Sequence, residues 1–477
     1  MEESSSEETC DIWEDYFRFC KRPREEVDTI SKLPDSLISQ ILSHLPTTKE
    51  AVRTSLLSKR WKTLYLSIPA LTLNANEFPN HNAFVSFIDR FLDFSREQNS
   101  ILHKLKLSVR KNNVDDSPPC VTRWIDSVSS SKLNHLYVEC LVNRKFLEAI
   151  PRSLYVCCDT LVYLRLHRVS LGEFESVSLP CLKKMVLEHN VYANDASLEL
   201  FISSCSVLED LSIVRMAPDK IKVLRVCSQS LTSLHIDFLL GEDDDFDDGS
   251  GVFIDSPKLE FLKFEEDLSD SKIITNTGSL AKVNLVFIFG ENDTADVIEL
   301  PKRDKRDMIR NFFTSISRVT DLKLSEHIVE FLHYHIEFDP LVLPQFRNLS
   351  RLRTKIFMWC LDVLPTLLES CPNLNSLVLA PDFYPDDEAA EIKSASIPRC
   401  LQSSLEYVEI KSFNGSPDRM KVARYFVENS LVLKKLVLDA RCKTMEQGCY
   451  ITEQGFSMFR DLLSLPRPSS ACQILLK

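Results

Sequence analysis

One spacing of apolar residues recurs through most of the chain: Leu-x-x-Leu-x-Leu, in which related apolar residues replace some of the leucines. Thirteen copies begin at residues 102, 133, 161, 182, 208, 231, 259, 280, 319, 349, 374, 405 and 433, and the copy at 349 is the weakest. The fourth and sixth positions of each copy are two residues apart, so they point to one face of a β-strand. The pattern therefore predicts thirteen short strands, each with one buried face.

The intervals between the copies predict how these strands assemble. Twelve intervals cover the 331 residues from 102 to 433 and average about 28 residues, within the range of leucine-rich repeats. A single repeat of this kind cannot close its own core, so neighbouring repeats must stack into a solenoid. The intervals vary from 21 to 39 residues, and the Asn or Cys expected after the strand is mostly missing, with Asn190 as the one good match. We therefore expect an irregular array.

Strand alternation predicts which side chains of the repeats face a ligand. Positions one, four and six of a copy are buried, so positions three, five and seven point outward on the concave face. Aromatic, histidine and charged residues, which anchor many protein interfaces, occupy many of these positions. The predicted binding residues are Tyr137, Tyr163, Arg165, His167, His235, Asp237, Phe261 and Lys263. The alternative is an ordinary amphipathic strand surface that binds nothing.

A second apolar pattern, with the period of a helix, precedes the repeats in residues 33–46, LPDSLISQILSHLP. Its apolar side chains form one continuous stripe on a helix: Leu37, Ile38, Ile41, Leu42 and Leu45. Thr47 and Glu50 have the spacing of a capping box for a second helix through about Leu57. A third short helix would place Trp61 and Leu64 on one side. A module of about forty residues supplies little core, so we expect it to pack against something else.

Composition narrows the possible functions. The chain has 477 residues, too many for one ordinary core, and it is 44% hydrophobic and 26% charged, as in a soluble globular protein. Its net charge of −12 argues against a broad nucleic-acid surface. With only nine glycines and no GxGxxG, GxxxxGK[ST] or GxSxG motif, nucleotide-dependent and lipase-type chemistries are disfavoured. We found neither a signal peptide nor a membrane span and expect a protein of the cytoplasm, the nucleus or both, with a small basic patch at residues 21–24 as one possible import signal.

No catalytic or metal site is predicted. The fifteen cysteines are odd in number and form no CxxC pair. Cys158, Cys205 and Cys371 each stand three residues before the first Leu of a copy, so burial explains them better than redox chemistry does. The acidic segment at 241–251 lacks the Gly and Glu of an EF-hand, and we expect a solvated loop. His333 and His335 would share a strand face, but no third ligand has a diagnostic spacing.

Residues 28–71, DTISKLPDSLISQILSHLPTTKEAVRTSLLSKRWKTLYLSIPAL, resemble the F-box of plant F-box proteins over their whole length. The matching groups are LPD at 33–35, ILS at 41–43, LP at 45–46, AV at 51–52 and LSKRW at 57–61. Residues 397–441 and the segment LLSLPRPSSACQ at 462–473 resemble the FBD region, which follows leucine-rich repeats in one large plant F-box family. The resemblance covers nearly the whole chain.

This resemblance implies an α/β architecture: a small all-helical F-box module, an irregular leucine-rich-repeat solenoid, and an FBD region that caps it. The expected segments are a disordered acidic leader at 1–27, the F-box at 28–73, the repeats at 95–395 and the FBD region at 396–477. No cofactor is expected, and neither nucleic acid nor membrane is an expected partner.

In such families the F-box docks on a Skp-type adaptor, and through it on a cullin, while the repeats select the protein to be ubiquitylated. The resemblance thus implies a non-catalytic substrate receptor of an SCF-type ubiquitin ligase, whose substrate the sequence does not name. Its adaptor contacts would be Leu33, Pro34, Leu37, Ile41, Leu42, Leu45, Pro46, Val52, Leu56 and Trp61. For Ile41, Val52 and Trp61 in particular, packing inside the module is an equal alternative. Two other functions stay open: a repeat scaffold that docks without delivering a substrate, and an enzyme with an unrecognised Cys/His site.

Overall fold

The computed structural model describes the greater part of the chain, in thirteen stretches. They are residues 30–98, 101–110, 120–129, 132–141, 147–216, 218–239, 250–265, 271–286, 303–336, 343–382, 389–392, 396–441 and 453–477. The predicted leader, the basic patch and the acidic residues of the 241–251 segment lie outside these stretches.

Parallel strands form the main sheet, in chain order and without interruption. Within the described residues these strands are β1 (Ala70–Asn74), β2 (Lys104–Arg110), β3 (His135–Leu141), β4 (Tyr163–His167), β6 (Lys184–Glu188), β8 (Asp210–Met216), β10 (Ser233–Leu239), β12 (Phe261–Glu265), β14 (Lys282–Leu285), β15 (Asp321–Leu324), β16 (Arg351–Phe357), β17 (Ser376–Asp382), β18 (Tyr407–Ile410), β19 (Lys435–Leu438) and β20 (Gln473–Leu476). All thirteen predicted strands are present, and each begins at the third residue of its Leu-x-x-Leu-x-Leu copy. The prediction of a stacked solenoid is confirmed.

The chain returns between main strands through helices or through strands of two smaller parallel sheets, since parallel neighbours need a crossover. The small sheets consist of β5 (Ser170–Leu171) with β7 (Val191–Tyr192), and of β9 (Val223–Cys227), β11 (Gly251–Asp255) and β13 (Ser271–Thr275). The helices are α1 (Asp35–Ser43), α2 (Thr48–Arg53), α3 (His81–Glu97), α4 (Val121–Val128), α5 (Arg152–Cys157), α6 (Asp195–Ser203), α7 (Arg303–Ser315), α8 (Glu326–Ile336), α9 (Val363–Glu369), α10 (Arg399–Ser403), α11 (Pro417–Asn429) and α12 (Glu453–Ser464). No helix in the described stretches is long and apolar enough to cross a membrane.

The core lies on the inward face of the main sheet, where the leucines of the copies point. In β4, for example, Leu164 and Leu166 are fully buried while Tyr163, Arg165 and His167 face outward. Asn190 closes a turn inside the solenoid: its side-chain Nδ2 donates to the Leu166 carbonyl at 2.9 Å, and its Oδ1 accepts from the Val169 N–H at 3.0 Å. The predicted burial of Cys158, Cys205 and Cys371 is also confirmed.

The main sheet crosses both of the segment boundaries predicted at its ends. Strand β1 begins inside the predicted F-box segment and ends one residue beyond it, and β18, β19 and β20 lie inside residues 396–477. The helical module is joined to the solenoid directly, because helix α2 packs on β1 and the Thr72 N–H donates to Thr48 Oγ1 at 2.8 Å. Residues 396–477 therefore supply the last strands of the solenoid's main sheet.

The helical module differs from the prediction in its second helix. Helix α2 ends at Arg53 instead of Leu57, and a 3₁₀ turn follows at Thr54–Leu56. The Thr54 hydroxyl donates to the Ala51 carbonyl at 2.6 Å, the kind of local bond that competes with helix continuation. Two further 3₁₀ turns, Arg60–Lys62 and Leu64–Ser67, stand where the third helix is predicted; the first buries Trp61 and the second buries Leu64.

Candidate functional site

The helical module exposes large apolar side chains. These are Ile30, Leu37, Ile41, Leu56 and Leu57, which are 53%, 44%, 51%, 87% and 68% exposed, and we call them the apolar face. Leu37 and Ile41 are one helical turn apart on α1, and Leu56 and Leu57 follow α2. Exposed apolar residues concentrated in so short a module indicate a protein-binding surface.

Burial divides the ten predicted adaptor contacts into three groups. Leu37, Ile41, Leu56, Pro34 and Pro46 are exposed, while Leu33, Leu45 and Val52 are half-buried. Leu42 and Trp61 are only 3% and 7% exposed and belong to the core of the module, which in this conformation leaves them little surface for a partner. The core alternative that the sequence left open for Trp61 is the one that the structure shows. The adaptor-contact role stays a prediction for all ten residues.

Two members of the apolar face are absent from the sequence prediction. Ile30 precedes the helical stripe, in the 3₁₀ turn Ile30–Lys32, and Leu57 lies at the end of the helix that the capping box was expected to start. Leu57 stands beside Leu56 and opens the LSKRW group that resembles the F-box, and these two signals could have found it. Arg60 fixes this part of the module to the start of α1, since its Nε donates to Asp35 Oδ1 at 2.8 Å and its Nη2 donates to the Leu33 carbonyl.

The outward face of the main sheet, predicted as the concave face, brings the eight predicted binding residues into two groups. The first lies on β3 and β4, where the Tyr137 and Tyr163 rings stack with their centroids 4.5 Å apart. The ammonium groups of Lys104 and Lys106 lie 5.8 and 5.9 Å from the Tyr137 ring. Burial and the neighbouring Tyr137 raise the pKa of Tyr163, so the Tyr163 phenol is a neutral hydrogen-bonding group at physiological pH.

Arg165 and His167, in the same group, both lie beside carboxylates on neighbouring strands. The Arg165 guanidinium pairs with Glu188 at 2.7 Å, and His167 Nδ1 lies 3.7 Å from Glu139 Oε1. Burial, and next the adjacent His189, lower the pKa of His167. Arg165 is therefore held in place by the sheet before any ligand arrives, whereas the buried His167 Nδ1 has no hydrogen-bond partner.

The second group lies on β10 and β12, where His235 stands opposite Lys263 and Asp237 opposite Glu265. Lys263 Nζ is 2.9 Å from His235 Nε2 and 2.9 Å from Glu265 Oε2, so the lysine donates to both. Burial and Lys263 lower the pKa of His235, which keeps Nε2 free to accept this bond. Burial, and next Glu265, raise the pKa of Asp237 to about 6.

His235, Asp237 and Glu265 also resemble a metal site, because one ligand atom of each lies within 4.8 Å of the others. The Lys263 ammonium, however, already contacts two of the three and supplies the positive charge that a metal would bring. The other metal candidate fails on geometry. His333 and His335 lie on helix α8 and not on a strand, so a spacing of two residues no longer gives them a common face. His333 instead has Asp362 Oδ1 at 2.8 Å from its Nδ1, and the side chain of His335 lies outside the described residues.

The two groups are not one site. Strands β6 and β8 separate β4 from β10, which at about 4.8 Å per strand places the groups about 14 Å apart. Phe261, at the edge of the second group, has the Lys282 ammonium 5.2 Å from its ring centroid. A ligand that touches both groups must therefore extend across several repeats.

A third feature of the outward face is absent from the sequence prediction. The outward positions of β14, β15 and β16 carry cations, which we call the basic band: Lys282, Lys323, Arg351, Arg353 and Lys355. The rule that identified the other outward positions also applies to the copies at 280, 319 and 349, so the same alternation could have found them. Their concentration becomes visible only when the three strands are placed side by side.

Comparison with known protein families identifies three segments of the chain. Residues 30–64 match the F-box domain, residues 121–281 match the leucine-rich repeats of FBD-associated F-box protein At5g56370, and residues 393–438 match the FBD domain. The F-box and the repeats are protein-binding modules, so the chain has the domain organisation of an adaptor-type protein.

Curated proteins of Arabidopsis thaliana match nearly the full length. The chain is 62% identical over 453 residues to FBD-associated F-box protein At5g22730, with 94% of each chain covered. It is 50% identical over 461 residues to FBD-associated F-box protein At5g44490, covering 94% of this chain and 90% of the relative. It is 41% identical over 456 residues to F-box/FBD/LRR-repeat protein At5g22660, covering 94% and 97%. These matches confirm the resemblance found in the sequence, and the chain belongs to the family of FBD-associated F-box proteins with leucine-rich repeats.

Proposed function

We propose that the chain is the substrate-recognition subunit of an SCF-type cullin–RING ubiquitin ligase. Its F-box docks on a Skp-type adaptor, which connects it to a cullin, and the outward face of the main sheet binds the protein to be ubiquitylated. The complex acts in the cytoplasm, the nucleus or both. The observation that supports this most directly is the apolar face, which lies within the F-box match.

Energetics favour occupation of the apolar face by a partner. Leu56 is 87% exposed and Leu57 is 68% exposed, so most of each side chain faces water in the free chain. Burying a leucine side chain completely contributes about 1.5–3 kcal/mol, and each 1.4 kcal/mol is about a tenfold change in affinity. A few such residues suffice for stable docking.

The buried thiols support a non-catalytic subunit. Burial raises the pKa of Cys158 to about 11 and that of Cys205 to about 12, and it also raises the pKa of Cys140 and Cys371. A thiol with so high a pKa carries almost no thiolate at neutral pH and is a poor nucleophile. We therefore assign the ubiquitin chemistry to other subunits of the complex.

Capture on an immobilised Skp-type adaptor tests the docking step. The double variant Leu56→Ala/Leu57→Ala should bind the adaptor at least about thirtyfold more weakly than the wild type, since two exposed leucines lose most of their contact area. Leu431→Ala is the matched control, because Leu431 is 54% exposed but lies outside the F-box. All three proteins should unfold at the same temperature. Failure of the wild type to bind the adaptor contradicts the proposal, and full binding by the double variant contradicts the assignment of the surface.

Delivery of a substrate needs a second measurement. Proteins that co-purify with the chain when the proteasome is blocked should carry ubiquitin, and the double variant should still capture them but leave them unmodified. Capture of the same proteins without ubiquitin on the wild type would favour an interaction scaffold instead.

A further inference from the structure

The basic band concentrates positive charge on the outward face. Five cations lie on three adjacent strands, and only two carboxylates of the described residues pair with them. Asp321 pairs with Arg353 at 2.8 Å and more loosely with Arg351 at 3.9 Å, and Glu326 pairs with Lys355 at 2.9 Å. An excess of positive charge thus persists locally in a chain whose net charge is −12.

Lys323 lies in the middle of this excess and is half-buried. Its strand neighbours at the same outward level are Arg353 and the uncharged Asn284, with Lys263 one strand beyond. No carboxylate of the described residues forms an ion pair with it, and Glu326 is the acid close enough to act on it. Burial first, and then Arg353, Lys355 and Lys263, lower the pKa of Lys323, as expected for an ammonium among like charges.

Neighbouring polar atoms also lack partners. Arg353 Nε and Asn284 Oδ1 are buried and have no hydrogen-bond partner. Arg353 Nε is a donor that needs an acceptor, and Asn284 Oδ1 is an acceptor that needs a donor. These two atoms are covered, but the Arg353 side chain as a whole is 32% exposed, so a carboxylate of an acidic peptide can reach the rest of its guanidinium.

The dimensions suit a short peptide segment. Three parallel strands span about 10 Å, and an extended peptide rises about 3.3 Å per residue. Carboxylates at alternate positions of such a peptide are therefore about 7 Å apart on one side, so two of them fit across the band. A nucleic-acid duplex or a membrane needs a wider positive surface, and the rest of this acidic chain would repel it.

We propose that the basic band binds an acidic segment of the target protein, with carboxylates at alternate positions that pair with Lys323 and Arg353. This inference rests on the proposed function and specifies its substrate class. The incoming carboxylates neutralise the excess charge at Lys323.

Fluorescence anisotropy with the full-length chain tests the proposal directly. The probe is a fluorescein-labelled nine-residue peptide with Glu at alternate positions and Ser between them, and the reference peptide has Gln in place of each Glu. The Glu peptide should bind at least about tenfold more tightly, and raising the salt from about 0.05 to 0.3 M should weaken it at least about fivefold. Equal binding of the two peptides overturns the proposal.

Variants locate the binding. Lys323→Gln should weaken binding of the Glu peptide about five- to tenfold, without lowering thermal stability, because it removes an unpaired, half-buried charge. Lys435→Gln is the matched control: Lys435 is a half-buried lysine at an outward position of β19 in the same sheet, and its variant should bind within about twofold of wild type. If both variants lose the same peptide affinity, the attraction is diffuse and the assignment of the site to the basic band is overturned. Unchanged affinity of Lys323→Gln overturns it as well.

Chemical footprinting distinguishes a lysine that contacts the peptide from one with a purely structural role, because only the first is protected when the peptide binds. Under limited acetic anhydride, the Glu peptide should protect Lys323 from acetylation and leave Lys435 unprotected. A single-stranded RNA oligonucleotide and phosphatidylserine vesicles serve as competing anions, and stronger binding of either one replaces the peptide proposal. Adaptor capture measured on the same protein separates the basic-band proposal from the proposed ligase role. If the chain binds the adaptor but does not prefer the Glu peptide, the basic-band proposal alone is rejected. If it binds the Glu peptide but not the adaptor, the ligase role is rejected.

Discussion

The pair formed by Arg215 and Asp219 offers a sharp test of how the solenoid is stabilised. Arg215 ends the buried side of β8, Asp219 lies in the following turn, and each is only 3% exposed. The guanidinium donates from Nε to Asp219 Oδ2 at 2.7 Å, and from Nη2 to Asp219 Oδ1 at 3.0 Å and the Ile221 carbonyl at 2.6 Å. It also lies 4.6 Å from the centroid of the Phe238 ring, which ties the turn to β10.

Replacing Asp219 by alanine should lower the free energy of unfolding by about 3–5 kcal/mol, because it leaves a buried guanidinium without its counter-charge. The Ile221 N–H, which donates to Asp219 Oδ1 at 3.0 Å, also loses its acceptor. The double variant Arg215→Met/Asp219→Ala removes the stranded charge and should cost only about 0–2 kcal/mol. The second substitution therefore restores stability that the first removed.

Urea unfolding and hydrogen exchange measured by mass spectrometry check this prediction. The single variant should shift the urea midpoint downward, and peptides that cover β8 and β10 should exchange faster, while those of the F-box keep their protection. Glu175→Ala is the control, since its pair with Arg152 is 83% and 70% exposed and should change stability by less than about 0.5 kcal/mol. A double variant as unstable as Asp219→Ala would refute the role of the unpaired charge.

Three further predictions concern single positions. Asp237→Asn should stabilise the chain by about 1 kcal/mol above pH 6, after allowance for partial exposure, and by almost nothing below pH 4. The reason is that the raised pKa of Asp237 makes the wild type lose stability as the pH rises from about 4 to 6. Urea midpoints of both proteins at pH 4 and 7.5 measure this difference. Asn190→Ala should lower the free energy of unfolding by about 2–3 kcal/mol, since it leaves the buried Leu166 carbonyl and Val169 N–H without hydrogen-bond partners. The urea midpoint measures this loss, and Asn134→Ala, at a more exposed position, should lower it less. Among the described cysteines, brief maleimide treatment at pH 7.5 should label Cys157 and Cys181, which are exposed, and spare Cys140, Cys205 and Cys371 until urea is added; peptide mapping scores each site.

The strands could be predicted because every inward position has the same chemical requirement. A leucine-sized side chain must fill the space between neighbouring repeats, so the same spacing returns thirteen times. The same spacing, with Ile68, Leu71 and Leu73 all buried, also marks β1. The resemblance assigned those residues to the helical module, and the strand was missed for that reason. Strand β20 was missed because Ala471 stands where its copy would need a leucine.

The apolar face could be predicted only in part, because a stripe on one helix does not reveal which side of it packs inward. Ile38 and Leu42 are buried, while Leu37 and Ile41, one position earlier in each case, are exposed. The division depends on where Trp61 and Leu64 pack, and those side chains lie on 3₁₀ turns whose direction the sequence does not encode in a periodic pattern. Hydrophobic spacing identifies the helix, but the surrounding turns decide which half of its stripe meets a partner.

The packing of the repeats does not require any particular residue type at the outward positions. The residues found there therefore indicate what the face binds, whereas the inward leucines indicate only how the repeats pack. A repeat keeps its core whichever residue occupies the outward site, as Val186, Ser212, His235 and Lys323 illustrate on different strands. A half-buried ammonium among like charges lowers the stability of the folded chain, and nothing in the packing of β15 requires one. Because the fold would accept a neutral residue there, the charge at Lys323 is best explained by a ligand that arrives with carboxylates.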